Sequence, residues 1–215
     1  AITGVVTIEP QNIYEGSTKT NEKGAIATDI ITDKNEIQAA LNMASADHTL
    51  VVHFPAGNYY IGNALFIHSN TTLKFDNGAT IIRNSNADPG VAAGSNRKGV
   101  DHNIFLLTPY NPSSKESAKS AGGYTNGENI NIEGGTFDGG NVSVATEESN
   151  LFNLGHASNI TIKNATFKNC YGNHLIELCA VQNAEISGCT FTGFRKRSDD
   201  PSGDQGEAIQ IDVAH

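Results

Sequence analysis

The sequence predicts an all-β fold, a parallel β-helix whose coils stack as a solenoid behind a short N-terminal capping helix. The first observation is a sequence repeat that occurs three times with substitutions: NINIEGGTFDG from Asn129, NITIKNATFKN from Asn159 and NAEISGCTFTG from Asn183. The spacings are 30 and then 24 residues. Self-similarity at a period of about 20 to 50 residues is typical of a solenoid.

The second observation is a set of similar strand-like segments that recur along with this repeat. Its members are IFLL (104–107), LFNL (151–154), LIEL (175–178) and AIQI (208–211). Leu151 and Leu175 each precede a repeat Asn by eight residues. Each coil therefore holds at least two strands at a fixed separation, plus a third around the Thr-Phe pair near the end of each repeat. Strands of this kind stack in parallel on their copies, about 4.8 Å apart.

The third observation is that stacking the coils produces columns of like residues. The predicted inward columns are Ile132, Ile162, Ile186 and Phe137, Phe167, Phe191. The repeat Asn residues are interpreted as turn residues, because Asn tolerates the left-handed conformation. Cys189 takes the position of Gly135 and Ala165, and Cys170 that of Gly140 and Phe194, so both cysteines are predicted to pack between coils.

The chain is predicted to be one domain, 1–215, with an N-terminal extension at 1–30. Residues 31–47 contain TDKNEIQAALNMA, in which Ile37, Ala40, Leu41 and Ala44 form one apolar stripe of a helix. We expect this helix to cover the open end of the sheet stack. Coils follow from 48 to 215, interrupted by insertions at 84–103, 108–127 and 194–206. Because AIQIDVAH carries no closing element, we expect further C-terminal coils or a second chain to cover the last coil.

Charge and hydropathy exclude two kinds of partner. The formal net charge of −9 argues against nucleic acid and anionic membranes, which require a basic face. No apolar run approaches the roughly 18 to 20 residues of a membrane-spanning helix, so no membrane insertion is expected.

Four segments carry a resemblance to a known family: DKNEIQAALNMA, VVHFPAGNYYI, SNTTLKFDNGATI and GGTFDGGN. Together they resemble the start of bacterial right-handed parallel β-helix proteins of the pectate-lyase-like superfamily. This group includes polygalacturonases, pectate lyases, phage tailspikes and some surface adhesins. The resemblance covers roughly residues 30 to 215. It implies a right-handed helix, an oligo- or polysaccharide partner, and a secreted or cell-surface location.

The reaction is not implied by the resemblance. A polygalacturonase would show Asn-Thr-Asp, Asp-Asp and Gly-His-Gly signatures on successive coils, whereas the corresponding regions read NHLIELCA and GEAIQIDVAH. A lyase pattern of clustered calcium-binding Asp with a catalytic Arg is also missing from the sequence.

Candidate catalytic residues follow from superposing the coils, which places polar side chains on one outer face and its corner. Carboxylates on neighbouring coils can stand about 5 to 10 Å apart, the range used in glycoside hydrolysis. The candidate acids are Glu177, Glu207 and Asp212. The candidate substrate-binding residues are Asn153, His174, Gln210, Arg195, Lys196 and Arg197. The alternative interpretation is that these side chains form a solvated polar surface that catalyses no reaction, since outward positions of a β-helix must be polar.

No cofactor is expected, although the segment SDDPSGDQGE offers oxygen ligands for calcium. Its oxygen ligands would be Asp199, Asp200, Asp204 and Glu207. The hypotheses for function are a secreted glycoside hydrolase or polysaccharide lyase, a non-catalytic glycan-binding adhesin or phage receptor-binding module, and a structural spacer.

Overall fold

A computed structural model describes residues 2–10, 32–44, 48–61, 65–83, 106–107, 123–140, 150–170, 174–194 and 206–212. In chain order its elements are β1 (Ile2–Thr7), α1 (Thr32–Leu41), β2 (His48–Phe54), β3 (Gly57–Ile61), β4 (Leu65–Phe66), β5 (Thr71–Phe75), β6 (Ala79–Arg83), β7 (Leu106–Leu107), β8 (Gly127–Glu133), β9 (Thr136–Asp138), β10 (Phe152–Lys163), β11 (Thr166–Lys168), β12 (Ile176–Ser187), β13 (Thr190–Thr192) and β14 (Ile209–Asp212).

The described strands form two sheets, and all of their pairings are parallel. The larger sheet runs in the order β1, β2, β5, β8, β10, β12, β14, with β4 and β7 paired beside this path. The smaller sheet runs β13, β11, β9, β6, β3 and contains the Thr-Phe strands. The predicted parallel β-helix is confirmed. One detail differs from the prediction, because the first two strands of a coil are continuous in β10 and β12, which have 12 residues each.

The interior is built from the predicted columns. Phe137, Phe167 and Phe191 are partners in register, with ring centroids 5.2 and 5.4 Å apart and nearly parallel planes. Phe152 meets the Phe167 ring edge-on at 4.8 Å. Phe137, Phe152 and Phe167 are fully buried. Aromatic stacking along the helix axis therefore joins successive coils.

The repeat Asn residues occupy the bends of the long strands. Asn129, Asn159 and Asn183 have φ angles of 59°, 56° and 57°. Their side chains form a ladder in which Asn183 donates to Asn159 and Asn159 donates to Asn129, each at 3.2 Å. Asn129 continues it by donating to Asn70 at 3.0 Å. The interpretation of these residues as left-handed turn residues is confirmed.

The helix α1 packs against the N-terminal end of the stack. Ile37, Ala40 and Leu41 are buried, and Ala44 packs against the same core. The Gln38 side-chain amide donates to the Phe66 carbonyl at 3.0 Å and accepts from the Phe66 N–H at 2.8 Å. One side chain thus satisfies both backbone groups of a residue in β4, which is how the predicted helix covers a strand edge.

The N-terminal residues belong to the sheet. The strand β1 pairs with β2 in register from Ile2 with His48 to Thr7 with His53, so the segment predicted as part of an extension adds a strand to the larger sheet. Most of the predicted insertions 84–103, 108–127 and 194–206 lie outside the described residues.

The three cysteines are free thiols. Cys170 is fully buried, and Cys189 is half-buried and packs against the core. Both agree with their prediction as packing residues. Cys179 lies on the outer face instead, beside Glu177.

Candidate functional site

The structure brings together most of the polar residues predicted to share the outer face. Asn153, Glu177 and Gln210 are register partners on β10, β12 and β14. In the next outward column, Cys179 pairs with Asp212. Stacking therefore places Glu177 and Asp212 on adjacent coils, two positions apart along their strands.

Glu177 is held by three side-chain donors. Its Oε2 accepts hydrogen bonds from the amides of Asn150 and Asn153, the second at 3.1 Å, and its Oε1 accepts from the Cys179 thiol at 3.2 Å. Asn150 is only 5% exposed, and its Oδ1 also accepts from the His174 backbone N–H at 3.1 Å. The carboxylate is therefore fixed as the centre of a hydrogen-bond network.

Asn150 was missed by the sequence interpretation. It precedes LFNL in the way that His174 precedes LIEL and Glu207 precedes AIQI. The signal was therefore present as the first member of a corner column. Asn150 stands at a corner, where alternation along the strand does not fix the direction of a side chain, and it has no charge that would single it out.

His174 and Glu207 meet at this corner. The His174 Nδ1 lies 2.7 Å from Glu207 Oε2, with side chains that are 6% and 52% exposed, respectively. The contact lies outside hydrogen-bond geometry, since Nδ1 has no hydrogen-bond partner among the residues that the structure describes. The pair joins a buried ring on one coil to a half-exposed carboxylate on the next.

The thiol of Cys179 is expected to react slowly. Burial raises the pKa of Cys179, and the neighbouring carboxylates Glu177 and Asp212 raise it further. Because only the thiolate is nucleophilic, we expect Cys179 to resist alkylation by iodoacetamide at pH 8. Peptide mass spectrometry after timed labelling measures this rate. Glu177→Gln should accelerate labelling by removing a charge and an acceptor, and labelling of the native chain at the rate of a free cysteine would contradict the assignment.

The basic and calcium-binding candidates lie outside the described residues. This applies to Arg195, Lys196 and Arg197, and to Asp199, Asp200 and Asp204. The flanking residues are described, and Phe194 and Gly206 are in close contact, since a Cβ atom at Gly206 would overlap the Phe194 ring. In the described part of the chain, no three His, Cys, Asp or Glu side chains are placed to hold a metal ion. Calcium binding stays a prediction.

A second polar surface was not identified from the sequence. It lies beyond the asparagine ladder and consists of two neighbouring outward columns of register partners. One column is Thr72, Asn131, Thr161 and Glu185, and the other is Lys74, Glu133, Lys163 and Ser187. Two open depressions of about 410 and 400 Å³ share Asn131 and Thr161 as lining residues. We call this surface the ladder groove. Its signal was the alternation of polar residues after each repeat Asn.

The charges of the ladder groove are unevenly paired. Lys163 Nζ lies 3.0 Å from Glu185 Oε1, and the hydrogen bond and charge of this ammonium lower the pKa of Glu185. Glu133 stands in register between Lys74 and Lys163, but within the described residues its carboxylate makes no ion pair or side-chain hydrogen bond.

No helix in the described ranges has the length and apolarity needed to cross a membrane.

Comparison with known proteins finds likeness to a bacterial surface protein. No family model matches the chain. Over 181 residues, 79% of this chain, it is 29% identical to the plasmin and fibronectin-binding protein A of Streptococcus pneumoniae. The chain spans about a quarter of the length of that relative, 23%.

Two solved structures of the pneumococcal surface adhesin PfbA have a similar fold. One covers 84% of this chain and 38% of its own, with a TM-score of 0.59 and 26% identity. The other covers 76% of this chain and 38% of its own, with a TM-score of 0.57 and 26% identity. Membership of the pectate-lyase-like superfamily stays a prediction.

These matches test two expectations from the sequence, the class of partner and the cellular location. The expectation of an oligo- or polysaccharide partner is wrong, because the name of the curated relative gives plasmin and fibronectin, both proteins, as what it binds. The predicted secreted or cell-surface location is confirmed by the likeness to a surface adhesin. The chain is a parallel β-helix that is similar, over about four-fifths of its length, to a pneumococcal adhesin.

Proposed function

We propose that this chain is a protein-binding module of a cell-surface adhesin and that it contacts its partner through the outer face of the larger sheet. The observation that carries the proposal is the likeness to the plasmin and fibronectin-binding protein A over 79% of the chain. Plasmin and fibronectin are accordingly the first partners to test.

The geometry supports binding because the outer face is a rigid array of polar side chains. Successive strands are held at the spacing of a sheet, about 4.8 Å, and the asparagine ladder fixes the bends between the two outward surfaces. A partner that docks on such a face encounters preorganised donors and acceptors, which lowers the entropic cost of association.

A catalytic role for Glu177, Glu207 and Asp212 has less support. A general acid or base must exchange a proton with its substrate. Glu177 already accepts three side-chain hydrogen bonds, and Glu207 Oε2 lies against the buried His174 ring. The hydrogen bonds from Asn150 and Asn153 to Glu177, and the contact between His174 and Glu207, join neighbouring coils, as structural contacts do.

Biolayer interferometry tests the proposal directly. The chain is passed over immobilised human plasmin, fibronectin and serum albumin in parallel. We expect saturable, concentration-dependent binding to plasmin, fibronectin or both, and no saturable binding to albumin. Heat-unfolded chain should lose the signal, because the contact surface exists only when the coils are stacked.

Equal binding to immobilised plasmin, fibronectin and albumin, or no saturable binding to plasmin and fibronectin, would overturn the proposed function. A response that survives heat unfolding would also overturn it, since the surface would then not depend on the β-helix.

A further inference from the structure

We propose that the ladder groove binds a lysine or arginine side chain of a protein partner, with the Glu133 carboxylate as the anion that holds it. The identity of the partner rests on the proposed function, whereas the chemistry of the groove rests on its own residues. A basic segment exposed on the surface of another protein is therefore the occupant to which the proposal commits.

The first argument is that Glu133 is available. It lies at the end of β8 and is exposed, with Lys74 and Lys163 as its register partners on the two neighbouring strands. Neither ammonium lies within ion-pair distance of its carboxylate in the part of the chain that the structure describes. An exposed anion inside a depression remains open to an external cation.

The second argument is that Lys163, the ammonium group that lines the depressions, is already neutralised. Lys163 is paired with Glu185 on the next coil at 3.0 Å. The charged residues that line the two depressions are Glu133, Lys163 and Glu185, and their sum is one negative charge. Lys74, the register partner of Glu133 on β5, is not among the lining residues. The whole chain carries a formal net charge of −9, which adds a long-range attraction for a basic partner.

The third argument is that neutral acceptors lie beside Glu133. Asn131 and Thr161 are register partners, and both line each depression. The Asn131 amide nitrogen is 3.5 Å from Thr72 Oγ1, which leaves the amide oxygen as an acceptor. Ammonium and guanidinium groups carry donors only. A carboxylate flanked by an amide and a hydroxyl oxygen matches that requirement.

A charged probe and its neutral isostere test the groove without a protein partner. N-acetyl-arginine methylamide and N-acetyl-citrulline methylamide are titrated separately into ¹⁵N-labelled chain and followed by NMR. We expect the arginine probe to shift the Asn131, Glu133 and Thr161 amides saturably, and the citrulline probe to leave them unchanged. Equal shifts with both probes, or shifts confined to other strands, would overturn the proposal.

Three variants sharpen this titration. Glu133→Gln should weaken binding of the arginine probe about tenfold or abolish it. Glu9→Gln removes one negative charge just after β1, three strands away from Glu133 in the larger sheet, and should leave binding unchanged. Lys163→Gln should tighten binding about twofold to threefold, because the groove loses one positive charge and the Glu185 carboxylate loses its ion-pair partner. A Lys163→Gln variant with unchanged or weaker affinity contradicts the assigned roles. Thermal unfolding of each variant shows that the fold is retained.

The same variants connect the groove to the protein partner. Binding of plasmin or fibronectin should weaken about threefold to tenfold in Glu133→Gln, with a smaller dependence on NaCl concentration than the native chain shows. Native-like binding by Glu133→Gln would overturn the groove proposal and leave the proposed function standing. If the native chain binds neither protein, the proposed function fails, and the arginine titration alone decides the groove.

Discussion

Phe167→Ala is expected to destabilise the chain by about 3 to 5 kcal/mol, the usual cost of truncating a fully buried phenylalanine. Phe167 is fully buried and touches three other rings: Phe137 at 5.2 Å, Phe152 at 4.8 Å and Phe191 at 5.4 Å between centroids. Its removal leaves a cavity in the aromatic column that joins three coils. Urea denaturation followed by circular dichroism measures the free energy of unfolding.

Phe191→Ala is the matched control within the same column. Phe191 is only partly buried and has Phe167 as its single described ring contact, so its truncation should cost clearly less, about 1 to 3 kcal/mol. A cost for Phe167→Ala below that of Phe191→Ala would contradict the stacked core.

Asn159→Ala is expected to cost about 2 to 3 kcal/mol, a large effect for an exposed residue. The substitution removes the hydrogen bonds to Asn129 and from Asn183, each 3.2 Å long and each worth about 0.5 to 1.5 kcal/mol net, with exposed bonds at the lower end. It also places an alanine at a φ of 56°, where a residue with a Cβ atom costs about 1 to 2 kcal/mol. Urea denaturation again measures the change.

Asn159→Gly separates the two contributions, because glycine adopts the left-handed conformation without that steric cost. It should lose only the ladder hydrogen bonds and remain about 1 kcal/mol more stable than Asn159→Ala. If the two variants are equally stable, the left-handed conformation is not what selects Asn at this bend.

The repeat was sufficient to predict the fold because stacking in register converts sequence spacing into spatial neighbours. The alignment of Phe137, Phe167 and Phe191 gave the register that the structure shows. The continuity of β10 through its bend at Asn159 could not be read in the same way. One residue in the left-handed conformation turns the chain without interrupting the sheet, and the sequence pattern does not distinguish this from a break between two strands.

The candidate site was only partly predictable. Superposing coils placed Asn153, Glu177 and Gln210 in one column, because alternation along a strand fixes which side chains point outward. It did not reveal that Glu177 is held by Asn150, since side chains at a strand corner are outside that alternation. The partner class was inferred from resemblance alone, and the fold is shared by proteins with different partners.

Carboxyl-group footprinting tests most directly the claim that the outer sheet face is a protein-binding surface. The chain is labelled with carbodiimide and glycine ethyl ester, with and without plasmin or fibronectin, and labelling at each carboxylate is measured by mass spectrometry. We predict protection of Glu133 and Glu185 on the larger sheet, with Glu9 and Glu36 labelled equally in both conditions. Complex formation that leaves all four carboxylates of this face, those of Glu133, Glu177, Glu185 and Asp212, as fully labelled as in the free chain would contradict the claim.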